Sequence, residues 1–185
     1  MQAENPPPTE PESDNIDENG QPKVLVAYFS VTNNTAGIAT EIAESLGADL
    51  YVITPEEPYT AADLDYGNDN SRTSLEMNDL DSRPVIAGSG VENMAGYDIV
   101  FLGYPIWWGQ APKIISTFLE SYDFGGKTIV PFCTSGSSGI GSSATNLQGL
   151  TGDAVWLAGE RFSSNAAHAS IVEWLNSLEL ELSAE

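Results

Sequence analysis

The sequence predicts a three-layer, doubly wound α/β domain: one five-stranded parallel sheet with helices on both faces. Two observations predict it. From Lys23 onward short apolar runs alternate with helix-length segments, and the runs are apolar at nearly every position, as strands covered on both faces must be. Right-handed crossovers join such units.

The first strand is Val24-Leu25-Val26-Ala27-Tyr28-Phe29. Ala36 to Leu46 follows with Ile38, Ala39, Ile42, Ala43 and Leu46 at helical spacing, and Gly47 stops it. Leu50 to Ile53 is the second strand, ended by Pro55. Residues 54–96 are rich in Asp, Asn, Pro and Gly and read mostly as loop, with a short helix over Ser71 to Asn78. Asp98 to Tyr104 is the third strand, Pro112 to Tyr122 a helix with proline in its first turn, and Lys127 to Cys133 the fourth strand. Ile140 to Leu150 reads as a weaker helix and Ala154 to Leu157 as the fifth strand. The last helix, Asn165 to Leu178, turns Ile171, Val172, Trp174, Leu175 and Leu178 inward.

Residues 1–22 hold five of the eleven prolines and six acidic residues, a composition that cannot offset its own ordering entropy. They are expected to form a disordered acidic tail ahead of one domain over 23–185. The tail is either a solubilising leader or a spacer from a membrane anchor removed upstream. The chain reads as soluble, cytoplasmic in the first case and extracytoplasmic in the second. No run approaches the roughly 18 apolar residues of a membrane span.

Charge excludes more. With 6 Lys and Arg against 27 Asp and Glu the formal net charge is −21, so basic side chains cannot neutralise a nucleic-acid backbone. A single cysteine, Cys133, and a single histidine, His168, leave no disulfide and no metal cluster. The position six after Cys133 is Gly139 where a low-molecular-weight phosphatase needs arginine. Ser30 stands where a response regulator needs an aspartate, and the phosphate loops G-x-x-x-x-G-K-[ST] and G-x-G-x-x-G are both missing. His168 reads as a surface or packing residue, and the carboxylates near Glu56 and Asp63 as solvated loop charge.

In open parallel sheets ligands sit beyond the carboxyl ends of the strands, where strand order reverses. Three loops fall there. Ser30-Val31-Thr32-Asn33-Asn34-Thr35 lies between the first strand and the first helix, where unpaired N–H groups and the helix dipole hold an anion without lysine. One N-cap needs one capping residue; five in six positions favour a phosphate. Tyr104-Pro105-Ile106-Trp107-Trp108-Gly109 sets two tryptophans side by side, suited to a flat ring, with at least one expected to pack into the core and Pro105 to fix the turn. Thr134-Ser135-Gly136-Ser137-Ser138-Gly139 lets backbone approach that ring and donate N–H groups to it.

The segments VLVAYFSVTNNTAGIA, YDIVFLGYPIWWGQAPKIISTFLE and GGKTIVPFCTSGSSGIGSS resemble the flavodoxin family, in its branch with a Trp-Trp-Gly second loop, over about residues 23 to 175. The resemblance implies a flavodoxin-like strand order of 2-1-3-4-5 and non-covalent FMN. Its phosphate would rest on Ser30, Thr32, Asn33, Asn34 and Thr35. Its ring would be bounded by Pro105, Ile106, Trp107, Trp108 and Gly109 and by Thr134, Ser135, Gly136, Ser137 and Gly139. No catalytic side chain and no metal ligand are assigned, so the redox chemistry belongs to the cofactor. Two functions fit: NAD(P)H-dependent reduction of a quinone-like acceptor, or a non-enzymatic carrier that hands electrons to a basic redox partner.

Overall fold

The computed structural model describes residues 20–180; the tail expected at 1–22 lies, but for its last three residues, outside the described residues. Six strand segments form the sheet: β1 (Val24–Tyr28), β2 (Asp49–Val52), β3 (Ile99–Pro105), β4 (Thr128–Thr134), β5 (Val155–Trp156) and β6 (Glu160–Phe162). The helices are α1 (Asn34–Leu46), α2 (Arg72–Asn78), α3 (Lys113–Glu120) and α4 (His168–Ser177). All strand pairs are parallel and the order is β2-β1-β3-β4-β5, with β6 also on β4. This is the doubly wound arrangement the alternation predicts.

Period-two alternation splits the central strands between two apolar layers. Leu25, Ala27, Val100, Leu102, Tyr104, Ile129 and Cys133 meet Ile114, Ile115, Phe118 and Leu119 of α3 on one face. Val24, Val26, Tyr28, Ile99, Phe101, Val130 and Phe132 meet Ile38 and Ile42 of α1 and Ile171, Trp174 and Leu175 of α4 on the other. Each large side chain buried this way stabilises the fold by about 1.5–3 kcal/mol before entropy is subtracted. The edge strand β2 is less covered: Leu50 and Val52 are exposed.

α1 ends at Leu46 as expected, whereas α3 stops at Glu120, short of the expected Tyr122, and α4 begins at His168, later than the expected Asn165. Gly47 takes the left-handed conformation, φ 59°, and its N–H bonds back to Ala43 and Glu44. Pro112 is the N-cap of α3. On α4, Ile171, Trp174 and Leu175 are buried and Leu178 packs partly on the same layer, but Val172 sits outside the core.

Two expectations need correction. The helix expected over 140–150 is a 3₁₀ segment, Thr145–Leu150, because Gly141, Ser142, Ser143 and Gly149 oppose a regular α-helix. The fifth strand is in two pieces. Ile129 pairs with Trp156 and Phe132 with Glu160, so three residues of the edge face two of β4. Pro131 lies at that point and has no N–H for the ladder. Gly159 passes so close that a Cβ there would stand 2.7 Å from the Pro131 carbonyl oxygen.

Residues 54–96 are mostly loop with the short helix α2, as expected, and side-chain contacts hold them in place. Ser71 caps α2, accepting from the Ser74 N–H. Arg72 pairs with Glu76 at 2.7 Å and lies 4.0 Å from the centre of the Tyr59 ring, whose hydroxyl donates to Glu76. Tyr59 in turn packs edge-on against Phe29 and Trp107. Side-chain contacts, not backbone periodicity, fix this segment over the carboxyl end of the sheet.

Candidate functional site

Beyond the carboxyl ends of β1, β3 and β4 lies a pocket of about 430 Å³. At its α1 end the chain leaves β1 through Ser30 and turns at Asn33, which adopts φ 65°. That left-handed turn aims the chain into the helix without a side-chain cap, so the first-turn N–H groups of α1 keep no side-chain acceptor. The Ser30 hydroxyl oxygen is buried and has no hydrogen-bond partner. Among the described residues only Thr117 shares that condition, and of the two only Ser30 lines this pocket. An orphaned buried hydroxyl beside an uncapped helix start is a donor set without its acceptor.

Thr35 is buried on the first turn of α1, and its hydroxyl shares a 2.7 Å hydrogen bond with that of Thr134 at the end of β4. One of the two hydroxyls donates, so the other keeps its proton for a further partner. This bond ties the first loop to the third across 99 residues. The second loop is tied in as well, because the Ile106 N–H donates to the Thr134 carbonyl at 3.0 Å.

Trp107 and Gln110 exchange two backbone hydrogen bonds of 2.9 Å, with Trp108 at φ 47° and Gly109 at φ 74° between them. Positive φ at both central residues makes this a type I′ turn. Glycine is at ease there; a tryptophan is not. Pro105 therefore ends β3 opposite Thr134 and does not make the turn, a correction to the sequence reading. The turn separates the two tryptophans. Trp107 packs into the core against Phe29 and Tyr59, whereas Trp108 is 43% exposed and stacks on Tyr66 with centroids 4.4 Å apart.

The pocket lining contains Ser30, Thr32, Asn34, Thr35, Pro105, Ile106, Trp107, Thr134, Ser135 and Gly136 from the three loops. Asn33, Trp108, Gly109, Ser137 and Gly139 lie next to these but outside the lining. Asn33 shapes the first loop, Trp108 and Gly109 form the hairpin tip, and Ser137 and Gly139 are on an exposed bend closed by the Ser135 hydroxyl on the Ser138 carbonyl.

Sequence reasoning did not assign Val31, Leu64, Tyr66, Ser163, Ser164 or Asn165, which also line it. Leu64 and Tyr66 come from the aperiodic 54–96 segment. The serines and Asn165 follow β6, and a strand of three residues behind a bulge leaves no signal to place the next loop at this edge.

Among the described residues no charged side chain lines the pocket. Beneath it Cys133 is fully buried, and burial pushes its thiol up to about 12, so it keeps its proton at neutral pH. Among the described residues no helix is long and apolar enough to cross a membrane, and no group of acidic, His or Cys residues could hold a metal ion.

No curated protein matches the chain. Solved structures do. A Bacteroides eggerthii protein assigned as a flavoprotein is 48% identical, covering 87% of this chain and all of that one, with a TM-score of 0.81. A second, from Bacteroides uniformis, is 44% identical over 84% of this chain and 99% of that one, with a TM-score of 0.80. A Lactobacillus acidophilus flavoprotein in complex with FMN shares the fold at 16% identity, over 83% of this chain and 99% of that one, with a TM-score of 0.60. The flavodoxin family model spans residues 23–178, and the chain belongs to that family.

Proposed function

We propose that this pocket holds FMN and that the protein transfers electrons through it. The observation that carries the reading is the buried, partnerless hydroxyl of Ser30 beside an uncapped helix start. Ser30, Thr32 and Thr35 offer hydroxyls, and the loop through Asn33 and Asn34 offers N–H groups, to a phosphate that no lysine or arginine needs to neutralise. Residues 105–109 and 134–139 bound the ring, joined by Leu64, Tyr66 and the loop after β6. The two Bacteroides relatives assigned as flavoproteins support a flavin here.

When bound, FMN supplies reversible one- and two-electron chemistry. The chain binds it, orients it and excludes water. Apart from the Tyr66 phenol no lining side chain titrates, so proton movement at the site runs through solvent and neutral hydroxyls.

The exposed Tyr66–Trp108 pair beside the pocket supports NAD(P)H-dependent reduction of a flat quinone-like acceptor, which could rest on such rings. The net charge of −21 favours the second reading, a carrier steered to a basic protein partner. Calorimetric titration of the apoprotein with FMN tests the shared claim: binding with heat supports it, and no heat removes it. Anaerobic mixing of the FMN-loaded protein with NADH or NADPH separates the two. Rapid loss of flavin absorbance supports the reductase, and an unchanged spectrum the carrier.

A further inference from the structure

Arg161 lies on β6. Among the described residues Lys23, Arg72 and Arg83 each pair with a carboxylate, whereas Lys113, Lys127 and Arg161 have none within 4.0 Å. The Arg161 guanidinium instead donates to the third loop from behind: Nη2 to the Ser135 carbonyl at 2.6 Å and to the Gly136 carbonyl at 2.8 Å, and Nε to the Ser135 hydroxyl at 3.2 Å. Ser135 and Gly136 both line the pocket. The planar fork of Nε and Nη2 holds the Ser135 hydroxyl and the two carbonyls together in one fixed geometry, which the freely rotating ammonium of a lysine would not fix.

Two consequences follow from chemistry alone. Holding both carbonyls on one cation fixes the peptide planes of the loop, so its conformation is set before any ligand arrives. The positive charge also stays next to a pocket whose lining carries none, and its field reaches the buried Cys133, where it works against burial and against the opposing carboxylate of Glu160.

We propose that Arg161 is a positioning residue for the flavin pocket, which holds the 134–136 loop in its binding conformation and, through the charge it sets against that loop, favours reduced over oxidised FMN. The inference rests on the reading of the pocket as an FMN site. A reduced flavin is the more electron-rich species, so a nearby cation stabilises it preferentially and raises the reduction potential.

The test uses full-length FMN-loaded protein, with FMN affinity read by calorimetry and the two-electron midpoint potential by spectroelectrochemistry. Arg161→Gln removes charge and fork. It should weaken FMN binding and cut the preference for the reduced form about tenfold, which for a two-electron couple is a fall of about 30 mV. Arg161→Lys keeps the charge and loses the fork, so it should bind FMN severalfold more weakly at a potential close to that of the wild type. An Arg161→Gln potential equal to the wild-type value overturns the electrostatic role, and wild-type affinity in both variants overturns the positioning role. Should Arg161→Gln retain no FMN, Arg161→Lys decides: a potential lower by about 30 mV overturns the proposal. Failure of the wild type to bind FMN would instead overturn the reading of the pocket, before any variant is made.

Discussion

The α1 end of the pocket comes from one strand-to-helix junction, residues 30 to 35, of which all but Asn33 line it, whereas its rim is assembled from four stretches spread between Leu64 and Asn165. Local chain geometry makes the first: a left-handed Asn33, a helix start and a buried serine. The rim depends on tertiary packing, through Tyr59 on Trp107, the 106–134 backbone bond and the grip of Arg161. An anion site of this kind can be carried by a short loop. A site for a flat ring needs surfaces that only the folded chain brings together.

The largest expected effect tests whether the rim owes its shape to the core. Trp107→Ala removes a buried ring that touches Phe29 and Tyr59 and should destabilise the fold by about 3–5 kcal/mol in urea unfolding. A loss below about 1 kcal/mol would show that the second loop is held in some other way.

Next comes the α1 end, where affinity and stability should part company. Ser30→Ala deletes a buried hydroxyl that satisfies nothing in the protein, so apoprotein stability should hold or rise slightly while FMN affinity falls by about 1–3 kcal/mol. Thr35→Val should lower affinity over the same range and, by breaking the bond to Thr134, stability as well. Equal stability losses in both variants would erase the distinction between a ligand-facing and a structural hydroxyl.

Smaller again is Trp108→Gly. It relieves a left-handed tryptophan but loses the stack on Tyr66, two terms of about 1 kcal/mol each that oppose one another. Thermal stability should change little, whereas FMN affinity should fall severalfold. Unchanged affinity would take Trp108 out of the rim.

The last prediction concerns pH. Burial raises the Cys133 thiol to about 12 in the folded chain, against about 8.5 when unfolded, so the neutral thiol is the form that folding favours. Its contribution is fully present below pH 8.5 and is lost as the pH climbs toward 12. Burial and the Asp49 carboxylate raise Tyr97 to about 12 as well, adding to the alkaline loss. Melting temperature should therefore decline above about pH 9, and a thiol reagent at pH 8 should leave the native protein unmodified. Ready modification would mean that the floor of the pocket opens.

The same local-versus-assembled contrast explains what the sequence could show. Strands β1, β3 and β4 were legible because burial on both faces leaves nearly unbroken apolar runs, and the first loop because its residues are contiguous. Tyr66 was not legible, since nothing in an Asp- and Asn-rich stretch says that Arg72, Glu76 and Tyr59 will fold it over the pocket. Ser163 to Asn165 were missed with β6, whose register depends on a proline in the neighbouring strand. Trp108 illustrates a further limit: two adjacent tryptophans look alike until a turn sends one inward and one out.

The interruption opposite Pro131 bears on how the molecule behaves in a crowd of its own kind. An outer strand with an unbroken row of free amide and carbonyl groups invites another chain to add itself and so begins aggregation. Here that margin is split into pieces of two and three residues by a bulge, with Glu160 and Arg161 set in the second piece. An incoming strand finds too short a run to zip against. The feature that hid the last strand from sequence reading also guards the domain against association along this border.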